Sequence, residues 1–328
     1  MSSLMSSRAL MQQLIDGYRV SQIVCVAAEL GIADLLKAGP RIWSELAAQT
    51  GAHPAAFRRL MRALCALGVF APVPPDSFAL NPASEWLLSG APQSLRPWAL
   101  ASLDQWYGAW GELRHTIKSG ETAFDHLHGM DAWSHRRENQ ASGRLFNDAM
   151  SAAAAGVARA VLRAYDFSRF NSIVDVGGGD GTFMAALLQA YPDAKGIVFD
   201  RFPCTGPAQS VAGDFFEAVP AGGDCYLLSR VLHDWNDEDA GRILHNVHRA
   251  MDGPRTVLLV ERLLDGDAST EAALSDINMM VMNGGRERSL EEFRALLAST
   301  GFALSRVLPT DAPVFLIEAV SSAPHAVP

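Results

Sequence analysis

Ser172-Ile-Val-Asp-Val-Gly-Gly-Gly-Asp-Gly-Thr182 decides how this chain folds. Ile173, Val174 and Val176 make a short apolar run of the kind buried in a parallel sheet. Gly177, Gly178, Gly179 and Gly181 follow, and the apolar stretch 183–190 (FMAALLQA) predicts a helix. Strand, glycine turn and helix make the nucleotide-binding corner of a doubly wound sheet. Glycine serves there because the turn is tight and a ligand must approach the backbone closely. The helix start then offers free N–H groups to a negative group. A dinucleotide loop requires a third glycine where this chain has Thr182, and the phosphate-binding lysine is missing as well. What remains is the spacing Asp175-x-Gly177-x-Gly179-x-Gly181. The same glycines would also serve a corner with no ligand. Against that, the next apolar run, 196–199, stops at Asp200. A carboxylate about twenty residues past such a loop is placed to accept hydrogen bonds from ribose hydroxyls.

This spacing resembles the first motif of class I S-adenosylmethionine-dependent methyltransferases. The resemblance implies a ligand with a ribose and an amino-acid end but no pyrophosphate. Asp175 would then meet the ammonium, directly or through water. The loop amides and the helix start would meet the carboxylate.

The composition narrows the classes of function. The chain has 328 residues, 49% hydrophobic and 19% charged, enough for two domains and a large core. A net charge of -9 argues against a nucleic-acid partner. Cys25, Cys65, Cys204 and Cys225 are scattered without a C-x-x-C pair, which predicts reduced thiols rather than a disulfide frame or metal site. Residues 1–8 are polar, no run is long enough to span a bilayer, and a cytoplasmic protein without membrane contact is expected.

Helical periodicity predicts helices at 9–30, 32–37, 43–50 and 55–67. The runs 68–70 and 78–80 flank a proline-rich turn at Pro72, Pro74 and Pro75. Helices followed by a β-wing make a winged-helix pattern, which could be a DNA-binding module. Arg58, Arg59 and Arg62 would be its basic face, although such spacing also describes an ordinary solvated helix. The stretch 91–165 reads as helical and is rich in aromatics, some of which could wall a pocket for a flat substrate. His126 and His128 have no third ligand nearby and read as structural. The expected division is 1–90 as the winged-helix part, 91–165 as a helical linker or lid, and 166–328 as the sheet domain.

Strands are expected at 173–176, 196–199, 210–212, 225–229, 256–261, 303–307 and 314–319, with helices at 237–251 and 290–300. The fold class is therefore α/β, a Rossmann-like doubly wound sheet behind a helical winged-helix domain. Gly213-Asp214-Phe215-Phe216 closes the third strand, where an acid and an aromatic ring could take an adenine amino group and ring face. Ser229-Arg-Val-Leu-His-Asp-Trp follows the fourth strand, at the carboxyl edge where open α/β sheets bind ligands. His233 there is a candidate general base. Glu261 ends the fifth strand, and Glu287 lies in Gly284-Gly-Arg-Glu-Arg-Ser289. A carboxylate beside a base imidazole fixes its tautomer and stabilises the imidazolium. Glu261 could instead pair with Arg262.

Together VDVGGGDGTF, GDFFEAVP, LSRVLHDWNDEDA, VER and GGRERS resemble the O-methyltransferase family that includes caffeate and acetylserotonin methyltransferases and bacterial tailoring enzymes. The resemblance runs over nearly the whole chain. It implies that His233 is the base, held by Glu261 and Glu287. It implies that Gly177, Asp200, Asp214, Phe215 and the backbone at Ser229 bind S-adenosylmethionine, with Asp175, Gly179 and Gly213 in the same words. It places Phe146, Met150, Met279 and Asn283 in the pocket for a small aromatic hydroxyl substrate, and it implies a homodimer formed by the N-terminal domain and no metal. The reaction would be an in-line SN2 methyl transfer. Two other outcomes stay open. A relative could keep the cofactor and run a hydroxylation, decarboxylation or pericyclic step, or the winged helix could make a non-catalytic binding protein. One departure stands out: the GD word follows Asp200 early, through Arg201-Phe-Pro-Cys-Thr-Gly-Pro207. Pro203 and Pro207 leave little room for a crossover helix, so the link is expected to be nearly extended or a bare turn, and Arg201 stands where relatives pack an apolar side chain against adenine.

Overall fold

A computed structural model of the chain describes residues 6–91, 93–204, 206–253, 255–265 and 269–321. Two compact units form. One holds the residues up to Tyr107 together with Arg144–Ala152, the other Gly108–Gly143 and the chain from Ala153 onward. The stretch 91–165, expected as one region, is thus divided between both.

In the first unit α1 (Ser7–Glu29), α2 (Ile32–Leu35), α3 (Trp43–Thr50) and α4 (Pro54–Ala66) accompany the strands β1 (Arg41–Ile42), β2 (Ala71–Val73) and β3 (Ser77–Ala79). The small antiparallel sheet runs β1-β3-β2. Local signals set the boundaries. Gly51 caps α3 in the left-handed region, and Pro54 opens α4 where its missing N–H costs nothing. Ile32, Leu46, Phe57, Met61 and Phe70 fill the core. Arg58 is not free for nucleic acid: it pairs with Asp76 at 2.9 Å and lies 5.2 Å over Trp43, tying α4 to the wing. The outer face of α1 stays apolar and exposed at Leu10, Met11, Leu14, Ile15 and Tyr18, with Leu14 at 66%.

The helices α5 (Arg96–Ala101), α6 (Tyr107–Gly111), α7 (Leu113–Ser119), α8 (Ala123–His128), α9 (Ala132–Glu138) and α10 (Gln140–Ala164) follow. His126 stacks on His115 with centroids 3.8 Å apart, and His128 packs on Phe124 at 4.3 Å. Both are packing residues.

The second unit carries β4 (Ser172–Val176), α11 (Thr182–Ala190), β5 (Lys195–Asp200), β6 (Gln209–Ala212), β7 (Cys225–Ser229), α12 (Asp237–Ala250), β8 (Thr256–Glu261), α13 (Thr270–Met282), α14 (Leu290–Ser299), β9 (Phe302–Pro309) and β10 (Phe315–Ser321). Its sheet runs β6-β5-β4-β7-β8-β10-β9. The pairs from β6 to β8 are parallel, as the alternating pattern predicts. β10 runs antiparallel to both β8 and β9. The short link between β9 and β10 is the cause, because a parallel pair needs a crossover of a dozen or more residues. Along β4 the two faces alternate. Val174 and Val176 enter one core layer, Ile173 the other, so the strand is apolar on both sides. Among the described residues no helix separates β5 from β6, in agreement with the prolines there, yet the two strands still pair in parallel from Ile197–Gln209 to Asp200–Ala212. Among the described residues no helix is long and apolar enough to cross a membrane.

Candidate active site

β5 lies on one side of β4 and β7 on the other. This is the switch point at which an open α/β sheet leaves a crevice along its carboxyl edge. The glycine turn lines it. Gly177 adopts φ +72°, and a Cβ there would come 2.8 Å from the Val231 side chain. A Cβ on Gly178 would stand 2.7 Å from the Asp175 carboxyl group. The turn therefore closes directly over Asp175, which is 1% exposed and whose Oδ2 has no partner among the described residues. Burial first, then the charge of Asp200, raise the Asp175 pKa to about 7. An orphaned acid beneath a glycine cradle suits a cationic ammonium, so this end fits the amino-acid part of S-adenosylmethionine.

Asp200 ends β5 and accepts from the Gly179 N–H at 2.9 Å and the Arg201 N–H at 2.7 Å. Each oxygen keeps a lone pair for a ribose hydroxyl. Gly213 lies so close to the Phe199 ring that a Cβ would come within 2.5 Å. Asp214 accepts from the Phe216 N–H at 2.9 Å and pairs with Arg201 at 3.0 Å. Arg201 therefore sits on the acid of the GD word. Phe215 joins Phe216 and Trp235 in an edge-to-face cluster. Ser229 ends β7, partly exposed.

His233 occupies a single helical turn, Leu232–Asp234, just past β7, and Asn236 caps α12 after it. The imidazole is 3% exposed, and both glutamates are fully buried. Nδ1 lies 3.0 Å from Glu287 Oε1. The Ser275 hydroxyl donates to the same oxygen at 2.6 Å. Glu261 works differently. Its Oε2 stays 4.0 Å from Nδ1, beyond hydrogen-bond range, while Oε1 accepts from the N–H groups of Val231 and Leu232 at 3.2 and 2.9 Å. Glu287 thus touches the ring, and Glu261 holds the backbone that presents it. Arg262 turns to Glu271 at 3.0 Å instead of pairing with its neighbour Glu261.

The electrostatics follow from this asymmetry. Burial opposes an imidazolium, but Asp234, Glu261 and Glu287 outweigh it and hold the His233 pKa above its ordinary value. Burial lifts Glu261 to about 7, with His233 opposing and Glu287 adding to the rise. Burial also works against ionised Glu287, but the hydrogen bond and charge of His233, then Ser275 and Arg262, bring it to about 2. One ligand atom from each of His233, Glu261 and Glu287 lies within 4.8 Å of the others, a donor set that chemistry alone would allow a metal. Ser275 bonds Glu287 Oε1 and two backbone amides bond Glu261 Oε1, contacts of the kind by which acids are held to orient an imidazole.

Several contributors escape sequence reasoning. Arg288 is fully buried and donates to the carbonyls of Leu232 and Trp235 at 2.8 Å each, and to Asp237 at 2.8 Å. It clamps the histidine turn from behind. The Arg286 N–H donates to the His233 carbonyl at 2.9 Å. A Cβ on Gly285 would fall 2.2 Å from that carbonyl, so only glycine lets the two loops touch. Asn283, expected in the acceptor pocket, donates to Asp234 at 2.7 Å, and Asp234 lies 3.8 Å from His233 Nε2. Met279 is buried on α13. Phe146 and Met150 lie on α10, in the stretch that packs with the first unit, both partly exposed.

Comparison with known proteins agrees along both parts of the chain. Residues 110–303 match the O-methyltransferase domain, and residues 12–90 match the O-methyltransferase dimerisation domain. The chain is 39% identical to phenazine O-methyltransferase PhzM of Lysobacter antibioticus, over 95% of each chain. It is 37% identical to the mitomycin biosynthesis 6-O-methyltransferase of Streptomyces lavendulae, covering 93% of this chain and 92% of that one. Human N-acetylserotonin methyltransferase, solved in complex with S-adenosylmethionine, superposes with a TM-score of 0.91 at 26% identity, covering 98% of this chain and all of that one. A glycine cradle over an orphaned acid, a buried histidine held by glutamate and these matches converge: the chain belongs to the O-methyltransferase family and is an S-adenosylmethionine-dependent O-methyltransferase.

Proposed function

We propose that His233 is the general base for methyl transfer to the hydroxyl of a small aromatic acceptor. One observation carries this reading: Nδ1 is engaged by Glu287 at 3.0 Å. That bond assigns the ring proton to Nδ1 and leaves Nε2 as the nitrogen that takes a proton from the acceptor hydroxyl. The imidazolium then formed lies against ionised Glu287, which stabilises it, while Glu261 keeps the turn amides in place. S-adenosylmethionine supplies a methyl group already activated on a sulfonium. Asp175, Gly177 and Gly179 would hold its amino-acid end, Asp200 the ribose, Gly213, Asp214 and Phe215 the adenine, and Ser229 a further backbone contact. Phe146, Met150, Met279 and Asn283 would face the acceptor. Because the donor is activated, orientation supplies most of the rate. Deprotonation adds about two to four orders of magnitude. His233→Ala is expected to cut methyl transfer about a hundredfold or more while S-adenosylhomocysteine binds as before. Unchanged turnover would remove His233 from the role.

The proposal extends to assembly and setting. Residues 1–90 would form a homodimer through the exposed apolar face of α1, residues 91–165 would serve as a lid over the acceptor, and residues 166–328 would bind the cofactor. The free cysteines and the net charge of -9 support a cytoplasmic enzyme that binds neither nucleic acid nor membrane.

A further inference from the structure

Glu287 holds the His233 ring with one oxygen only. Oε1 meets Nδ1 at 3.0 Å and the Ser275 hydroxyl at 2.6 Å, while Oε2 is buried with no partner among the described residues. Burial opposes the charged ring, but Asp234, Glu261 and Glu287 outweigh it. A base must shed its proton before it can take another, and three acids around one imidazole resist that release.

Arg262 stands against their pull. It follows Glu261 directly at the end of β8, with 14% of its side chain exposed. Its Nη2 donates to Glu271 at 3.0 Å, its Nη1 stops 4.0 Å from Glu287 Oε1, and its Nε is buried without a partner among the described residues. The first distance is a hydrogen bond, and the second is charge acting across a gap. Glu271 thus keeps the guanidinium from taking Oε1 away from Nδ1, yet leaves its charge beside that oxygen. One face of α13 serves both ends of this chain of contacts. Glu271 lies in its first turn and Ser275 one turn later, so the helix that anchors Arg262 also brings the hydroxyl to Glu287. Asp276 of the same helix accepts from the Glu287 N–H at 2.9 Å. The remaining cations near the ring are Arg230, just before the turn, and Arg288, which is bound to Asp237 and two carbonyls behind it.

We propose that Arg262 is a positioning residue that tempers the base. Held between Glu271 and Glu287, its charge weakens the grip of the acids on the His233 proton, so the ring returns to its neutral form at a lower pH than the acids alone would allow. The proposal rests on reading His233 as the base. Charge fixes the sign. Neutralising Arg262 leaves the imidazolium to the acids and moves its titration to higher pH. Glu287 stays ionised throughout, since it titrates far lower, at about 2.

NMR on the full-length protein reads this directly. The nine histidines are labelled with carbon-13 at Cε1, the protein is saturated with S-adenosylhomocysteine, and the rings are titrated with pH. The signal missing from His233→Gln assigns the ring. In Arg262→Met its midpoint is expected to rise by about one pH unit. Arg262→Lys keeps the charge and should stay close to wild type. Arg262→Gln, polar and able to bond Glu271, repeats the neutralisation if Arg262→Met folds poorly. A residue that merely ties β8 to α13 would lower the melting temperature and leave the midpoint in place. An unmoved midpoint in the neutral variants, or an equal rise in Arg262→Lys, overturns the proposal. The base itself is tested apart, by turnover of His233→Ala. Full turnover there, with a raised midpoint here, would remove the base and leave the effect of Arg262 on the ring standing.

Discussion

Glu261 and Glu287 are both fully buried beside one imidazole, yet their environments drive them in opposite directions, to about 7 and about 2. The difference lies in partners. Glu287 meets the ring nitrogen, whereas Glu261 meets only backbone amides. This split sets the sign of the pH dependence. The base works in its neutral form, and its pKa is raised, so kcat/KM should climb with pH through a midpoint above the ordinary histidine value. Glu287→Gln removes a negative charge next to the ring. The imidazolium loses support, and the midpoint should move to lower pH while the plateau rate falls. A pH profile of the variant checks this, and an unmoved midpoint would detach Glu287 from the base. At this scale the sequence was informative where chemistry and position coincide. A histidine and two acids at strand ends could be picked out because that edge binds ligands. Arg288 and Arg230 could not. The partners of Arg288 are two carbonyls and Asp237, brought to it only by folding, and Arg230 is conspicuous only because its Nε is buried without a partner among the described residues.

The histidine turn and the Gly284–Ser289 loop are two elements that must lie in contact. Gly285 permits it, and the capping box of Ser289 and Glu292 fixes where that loop ends and α14 begins. Gly285→Ala should push the loops apart and misplace the imidazole. Turnover is expected to drop by up to about a hundredfold, with S-adenosylhomocysteine affinity kept. Steady-state kinetics paired with calorimetry would show it, and a variant with full turnover would mean the turn does not need this contact. Elements with strong local signals were legible in the sequence. Gly51, Pro54 and the prolines after Asp200 set helix ends or forbade a helix. The reversal of β10 was not legible, because its apolar run reads the same in either direction. Strand direction is set by the length of the link from β9. The helical stretch 91–165 showed periodicity but no mark of where one packing unit gives way to the other, since that depends on which distant residues each face meets.

For the whole molecule, the exposed face of α1 is a burial problem that one copy of the chain leaves open. Leu10, Met11, Leu14, Ile15 and Tyr18 together form an apolar stripe on a helix that the dimerisation-domain match nearly covers. Leu14→Asp combined with Tyr18→Asp should shift the protein toward monomer in sedimentation velocity at micromolar concentration, because charges would have to be buried on association. Two proteins with the same sedimentation coefficient would place the dimer contact elsewhere. The sheet carries a different consequence. β10 is inserted between β8 and β9, so β8 remains a sheet border until the last-made strand arrives. In register, Phe315 of that strand lies beside Glu261. A chain emerging from the ribosome can pair β4 with β5 and β7, and β5 with β6, early. It cannot enclose the strand bearing Glu261 until residues beyond 315 have left the exit tunnel. The order of synthesis thus delays completion of the catalytic edge, and a nascent chain halted before β10 would expose an unpaired apolar strand for chaperones to shield.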